Sequence, residues 1–311
     1  MKNKEQFKGH KMFKHTPISK DLNLSEVVYG AWRLADDSDT STATIRKKID
    51  ACLEQNITSF DHADIYGDYQ CEVLFGKALA EQPSLRDQMQ LISKCDIAIP
   101  SQQYPTRRVK HYDTSPAYIN MSVDNSLRNL HSEQLDLLMI HRPDPFMDAA
   151  QTAKALDALI DSGKVKAVGV SNFSASDWRL LQKHMSHNLI VNQIELSLLE
   201  SNSLRDGTLA DLQTDDMKAM AWSPLAGGAL FGDSPAAIRL QPLLTDLCKR
   251  FNCGVDHLAI AWLLAHPAGI IPVVGTNNLD RIKALSSILN VELDRETWFD
   301  LYSTANGCEV P

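Results

Sequence analysis

The stretch "LDLLMIH", residues 135–141, decides the fold. From Leu137 to Ile140 it is apolar at every position, so it lacks the alternation of a strand with one wet face. A strand apolar on both faces belongs in a parallel sheet covered by helices. Its flanks agree: "YINMSVDNSLRNLH" precedes it and "AAQTAKALDALIDSGK" follows, both with apolar residues at helical spacing. A strand bracketed by helices is the repeating part of a βα crossover.

The same unit recurs along the chain. Candidate strands are "VVYGAWRL" (27–34), "ITSFDHAD" (57–64), "MQLISKC" (89–95) and "LDLLMIH", then "KAVGVSN" (166–172), "IVNQIEL" (190–196), "MKAMAWSP" (217–224) and "GIIPVVG" (269–275). Helical patterns separate them, among them "TSTATIRKKIDACLEQ" and "VDHLAIAWLLAHP". Ser174 or Ser176 in "SASDW" suits a helix N-cap, and Gly163 in "DSGK" suits a helix end. Eight such units in about 280 residues match a closed (β/α)8 TIM barrel in a single domain. The competing doubly wound sheet lacks its fingerprint, because no G-x-G-x-x-G opens a helix. Residues 1–25 read as an N-terminal lead-in and 26–311 as the barrel. Long connections at 96–115 and 225–254, the second with an extra helix, leave the C-terminal strand ends, where such barrels build their sites.

Composition narrows the function. With 44% apolar and 23% charged residues the chain is globular, and its formal net charge of −8 disfavours nucleic acid or an anionic membrane as partner. No apolar run approaches the roughly 20 residues of a membrane span. The lysine-rich start lacks the apolar core of a secretory signal and reads as a cytoplasmic lead-in. The six cysteines form no C-x-x-C pair and are expected as thiols, and a monomer is the default assembly.

Polar residues end the apolar runs, and a barrel aims them at one mouth. They are Asp61 with Tyr66 beyond it, Lys94, His141, Ser171, Asn172, Gln193, Trp222, Ser223 and Thr276. Lys94, buried at the end of "MQLIS", needs an anion, and Asp61 on the next strand is the natural partner. A nearby ammonium would lower the pKa of the Tyr66 phenol, so that Tyr66 can give or take a proton while His141 orients a carbonyl oxygen. A salt bridge holding two strands together is the plainer reading of the Lys94–Asp61 pair alone. A metal is the rival for "FDHADIYG" (60–67). Strand alternation, however, sends His62 and Asp64 to the face opposite Asp61, beside Phe60, and no ligand spacing supports it. Trp222 offers a flat surface for a planar ring, and Ser171, Asn172 and Gln193 offer partners for a carboxamide. "GTNNLDRI" places Arg281 in the first turn of a helix, where a phosphate would bind.

Seven motifs in order then carry a resemblance: "FDHADIYG", "ISKC", "LDLLMIHRPD", "GKVKAVGVSNFS", "VNQIELS", "AWSPLAGG" and "IPVVGTNNLDRI". Over nearly its whole length the chain resembles an aldo-keto reductase, and "DHADIYG" with "HRPDP" resembles the YdhF-like bacterial branch. The resemblance implies reduction of a small-molecule aldehyde or ketone with NADPH. Its implied catalytic set is Asp61, Tyr66, Lys94 and His141, with Tyr66 as general acid. It further implies that Ser171, Asn172 and Gln193 hold the nicotinamide carboxamide, that Trp222 stacks on the ring, and that Ser223, Leu225 and Gly227 line the pyrophosphate path. Thr276 and Arg281 would grip the 2′-phosphate. The chain departs from the family at Ala284 and Leu285, where relatives often carry polar adenine contacts, and at His62, which we read as filling space. Two other functions remain in play: a cofactor-sensing regulatory subunit with little turnover, and a metal-dependent hydrolase. Trp32 and Cys308 lie near the expected pocket, with ordinary packing as the reading for each.

Overall fold

The computed structural model describes residues 11–311. Eight parallel strands close into a barrel: β1 Val28–Gly30, β2 Ser59–Asp61, β3 Gln90–Cys95, β4 Leu137–Ile140, β5 Val168–Ser171, β6 Leu189–Glu195, β7 Lys218–Trp222 and β8 Ile271–Val274. They follow one another round the ring in chain order, and β8 closes on β1 through Val273↔Val28 and Val274↔Tyr29. These are the eight strands expected from the sequence. Most are shorter than their apolar runs, because the chain leaves the ladder to form loops while still buried.

The helices between them are α1 Thr42–Leu53, α2 Cys71–Glu81, α3 Pro116–Asn129, α4 Ala149–Asp161, α5 Ala175–Gln182, α6 Thr208–Thr214, α7 Val255–Leu264 and α8 Leu279–Lys283. Ser174 caps α5: its hydroxyl accepts from the Asp177 N–H, and the Asp177 carboxylate accepts from the Ser174 N–H in return. Gly163 follows α4 with φ +75°, the left-handed conformation that ends a helix. The insertion after β7 does contain the extra helix, Pro235–Phe251, on which the last helix, Arg295–Asn306, packs. The 96–115 connection is tied down by a short antiparallel pair, Ile97–Ala98 with His111–Tyr112. Arg107 pins its middle, lying 3.7 Å from the Tyr104 ring centroid and donating to the Tyr69 hydroxyl at 2.6 Å.

Two apolar layers hold the barrel. One lies between strands and helices; the other fills the interior with Val28, Ile92, Leu137, Met139, Met220, Ile271 and Val273. The interior layer also contains Ile18, Leu22 and Leu24. They come from a hairpin, His15–Pro17 paired with Asn23–Ser25, immediately before β1. Part of the segment read as a lead-in therefore stoppers the N-terminal end of the barrel; its first ten residues lie outside the described residues. Leu24 is fully buried there. Leu24→Ala is expected to cost about 2–5 kcal/mol in a urea melt. A loss under about 1 kcal/mol, the range of surface changes, would detach the hairpin from the folding unit. Among the described residues no helix is long and apolar enough to cross a membrane.

Candidate active site

With the N-terminal end stoppered, the C-terminal strand ends form the mouth. Lys94 near the end of β3 donates to Asp61 Oδ2 at 2.7 Å, to the His62 carbonyl at 2.8 Å and to the Tyr66 hydroxyl at 3.0 Å. An ammonium has three protons, and all three are used, which is what allows a lysine only 1% exposed. The other oxygen of Asp61 accepts from Gln193 Nε2 on β6 at 3.0 Å. Tyr66 reaches Lys94 from the loop after β2, and Gly67 makes that approach possible. Its φ is +59°, and a Cβ there would meet Ala35 Cβ at 2.5 Å and Cys71 Sγ at 2.7 Å.

His141, just beyond β4, sets its ring edge-on to Tyr66 with centroids 5.8 Å apart. Burial, then the charges of Lys94 and Arg142, hold the imidazole well below its ordinary pKa, so it is neutral. Burial also opposes charge on Lys94, but Asp61 and then Tyr66 outweigh it and the pKa ends above the usual lysine value. The expected lowering of the Tyr66 phenol does not occur in this arrangement. Burial raises it by more than Lys94 lowers it, and the hydroxyl keeps its proton.

A second chain of bonds runs round the mouth. Ser171 Oγ donates to the Gln193 carbonyl at 2.8 Å, Asn172 Nδ2 to Ser171 Oγ at 2.8 Å, and Trp222 Nε1 to Asn172 Oδ1 at 2.9 Å. Asn172 takes a left-handed conformation to do so, φ +61°. Seven expected site residues are thereby connected through hydrogen bonds, with His141 beside them. The carboxamide reading shifts in emphasis, because Ser171 and Gln193 are buried and bonded to protein whereas Asn172 stays half-exposed.

Ser223, Leu225 and Gly227 lie beyond β7 in a loop whose left-handed residues, Ser223, Ala226, Gly227 and Gly228, curl the backbone as anion-binding nests do. The half-buried Leu225 packs on the core, and Gly227 is exposed, its carbonyl accepting from Arg33 Nη2 at 3.4 Å. Beyond β8, Thr276 Oγ1 accepts from the Asn278 N–H and Asn278 Oδ1 from the Arg281 N–H. At this helix start α8 has only five residues and its Asn278 cap occupies the Arg281 N–H, so a phosphate here would be met by side chains rather than by that N–H. Left for an anion are the exposed Arg281 guanidinium, which has no partner among the described residues, and the proton of the Thr276 hydroxyl. Leu285 is buried core, so a polar adenine contact has no room there, while Ala284 is exposed.

His62 packs its ring against Phe75 of α2, centroids 4.6 Å apart, with no partner for either nitrogen, and burial lowers its pKa to about 3. Asp64 turns to the same helix layer and accepts from Ser122 of α3 at 2.6 Å. Among the described residues no three His, Cys, Asp or Glu side chains converge as metal ligands. Trp32 is exposed beyond β1, and the Cys308 thiol is exposed in the tail.

The sequence reading missed two residues. Lys48 sits on the apolar stripe of α1 with Ile45, Ile49 and Cys52, a spacing that signalled burial. It pairs with Asp37 and donates to Asn277 Oδ1 at 2.9 Å, so α1 braces the loop after β8. Arg142 leans over the mouth from the residue after His141, its guanidinium carbon 5.8 Å from the Trp222 ring centroid.

A closed barrel whose mouth joins a lysine, a carboxylate, a phenol and an imidazole beside an oriented indole defines an oxidoreductase of carbonyl groups that uses a nicotinamide cofactor. The Aldo/keto reductase family model matches residues 26–304, and the chain belongs to that family. It is 51% identical over 293 residues to a 6-dehydroglucose reductase of Agrobacterium fabrum, covering 94% of this chain and 98% of that one. It is 40% identical over 292 residues to the oxidoreductase YdhF of Escherichia coli, covering 93% and 96%, and falls in the YdhF-like branch. Among solved structures, an aldo/keto reductase from Klebsiella pneumoniae in complex with NADP and acetate superposes with a TM-score of 0.73 at 22% identity, covering 94% of each chain.

Proposed function

We propose that the protein reduces a small aldehyde with NADPH, and that the aldehyde of an oxidised sugar is its substrate class. The observation that carries the chemistry is the buried Lys94, which holds Asp61 and Tyr66 together. The substrate class takes its support from the relative named 6-dehydroglucose reductase, 51% identical over nearly the whole chain.

The residues present fit a nicotinamide dinucleotide. The Trp222 indole is fixed by Asn172, the loop of left-handed residues at 223–228 is shaped for a pyrophosphate, and Arg281 is unpaired among the described residues. Trp222 would stack on the nicotinamide ring and Asn172, with Ser171 and Gln193, would orient its carboxamide. Ser223, Leu225 and Gly227 would follow the pyrophosphate, and Thr276 and Arg281 the 2′-phosphate. When bound, the cofactor supplies the hydride that reaches the carbonyl carbon. Tyr66 gives its proton to the carbonyl oxygen as the negative charge develops there. Lys94 then stabilises the phenolate left behind, Asp61 and Gln193 keep Lys94 in place, and neutral His141 donates to the same oxygen.

Tryptophan quenching with NADPH and with NADH, followed by NADPH oxidation with added aldehydes, tests this reading. Tight NADPH binding and aldehyde-dependent oxidation are the expected results; binding of neither cofactor would overturn it. Arg281→Ala is expected to weaken NADPH by about tenfold while NADH changes little, since one charge-assisted contact to the phosphate is lost. Equal weakening of both would remove Arg281 from the 2′-phosphate site.

A further inference from the structure

Arg142 is a charged group at the mouth that the proton relay does not use. Its backbone N–H is held at 3.2 Å by the carboxylate of Asp96, a buried residue just past β3 with φ +105°. Two neighbouring strand ends thus cooperate to turn Arg142 in a set direction. Its guanidinium stands over Trp222 of β7, a strand that is not adjacent to β4 in the ring. The side chain therefore leans across the opening. It is half-buried, and its guanidinium makes no hydrogen bond or ion pair among the described residues.

Glu195, the last residue of β6, lies in ladder register with Trp222 of β7, the same indole over which Arg142 stands, so it borders the same opening. Burial and the nearby Glu200 raise its pKa and Arg142 pulls it down, so the three charges share one local field. Arg142 and Glu195 are nonetheless not bonded to each other. A donor fork and an acceptor, near one another yet unpaired, suit vicinal hydroxyls, because each hydroxyl both donates and accepts. Trp32, 56% exposed beyond β1, adds a flat apolar surface of the kind that covers C–H groups. The carboxylates of Glu195 and of Glu200, whose charge acts on it, work against a carboxylate or phosphate as the ligand here.

We propose that Arg142 and Glu195 form the substrate-positioning pair of this protein, binding hydroxyls on the carbons next to the reacting carbonyl of a neutral polyhydroxyaldehyde. This rests on the carbonyl-reductase reading of the same mouth. Positioning of this kind acts through KM and through the alignment of the carbonyl with Tyr66.

The test measures NADPH oxidation with glyceraldehyde, butanal and succinic semialdehyde for the wild type, Arg142→Met, Arg142→Lys and Glu195→Gln. In the wild type kcat/KM is expected to be highest for glyceraldehyde. Arg142→Met should lower the ratio of kcat/KM for glyceraldehyde over butanal by about 10- to 100-fold, mainly through KM, as expected for a lost charged hydrogen bond. Arg142→Lys should recover part of that ratio, and Glu195→Gln should lower it while improving succinic semialdehyde. An unchanged ratio overturns the proposal. So does wild-type preference for succinic semialdehyde that vanishes in Arg142→Met, which would make this an anion site. A higher Kd for NADPH in Arg142→Met also overturns it, by assigning the arginine to the cofactor. If the wild type reduces none of the three, absence of NADPH binding identifies failure of the reductase reading, and tryptophan quenching by D-glucose still decides the pair. Quenching lost in Arg142→Met supports it; no quenching in the wild type overturns it.

Discussion

Tyr66→Phe is expected to lower kcat by about 10²- to 10⁴-fold, the range over which a positioned acid acts, while the Kd for NADPH stays within about twofold. Among the described residues the hydroxyl is the one proton-bearing group held against Lys94, at 3.0 Å, and burial keeps that proton in place up to the moment of reaction. The loss should be confined to chemistry. Lys94 keeps its bonds to Asp61 and to the His62 carbonyl, so the ammonium stays satisfied and the fold should lose no more than about 1 kcal/mol. Stopped-flow single turnover with NADPH, beside a urea melt, separates these quantities. A Tyr66→Phe protein that turns over like the wild type would remove Tyr66 as the acid. It would then favour the reading of a cofactor-sensing subunit in which the pocket binds and does not react. A protein that loses NADPH binding together with turnover would mean that the phenol ring shapes the cofactor pocket.

The barrel was legible because its signal is redundant. Each strand is a continuous apolar run between helical patterns, and misreading one would have left seven. The site was legible for a related reason. Lys94, His141 and Trp222 end apolar runs with groups that an apolar environment would exclude unless they were used. The N-terminal hairpin was not legible, since its three-residue strands are too short to show a period, and only the barrel's open end explains why Leu22 and Leu24 are buried. Arg142 was hidden differently. Past the last ladder bond of β4, alternation no longer fixes direction, and the turn toward Trp222 depends on the Asp96 carboxylate from another strand. The sign of the Tyr66 shift failed for want of a magnitude. Sequence supplied the neighbouring cation, whereas only the packed structure shows that desolvation exceeds it. Lys48 could have been read from its place on the α1 stripe, but its partners Asp37 and Asn277 come from opposite ends of the chain.

Lys94→Met should be the most damaging single change, because it strikes folding and chemistry together. Removing the ammonium leaves the Asp61 carboxylate, 3% exposed, with Gln193 as its remaining side-chain partner. Breaking a buried pair from one side costs about 3–5 kcal/mol. The raised pKa of Lys94 sets the pH range over which the pair works. A group raised on folding contributes fully below its unfolded value and loses that contribution as pH rises through the folded value, so the wild-type term should persist through neutral pH and fade only above the ordinary lysine range. Adding Asp61→Asn to Lys94→Met removes the stranded charge, and the double variant is expected to regain about 2 kcal/mol or more. Activity should not return with it, because the Tyr66 phenolate would still form without a cation beside it, a loss of about 10²- to 10³-fold in kcat. Urea melts and single-turnover rates on the two single variants and the double variant form one cycle. If Lys94→Met unfolds at the wild-type midpoint, the pair is not the buried, mutually dependent unit described here. If stability and turnover recover together in the double variant, Lys94 serves the fold alone and the phenol needs another source of stabilisation.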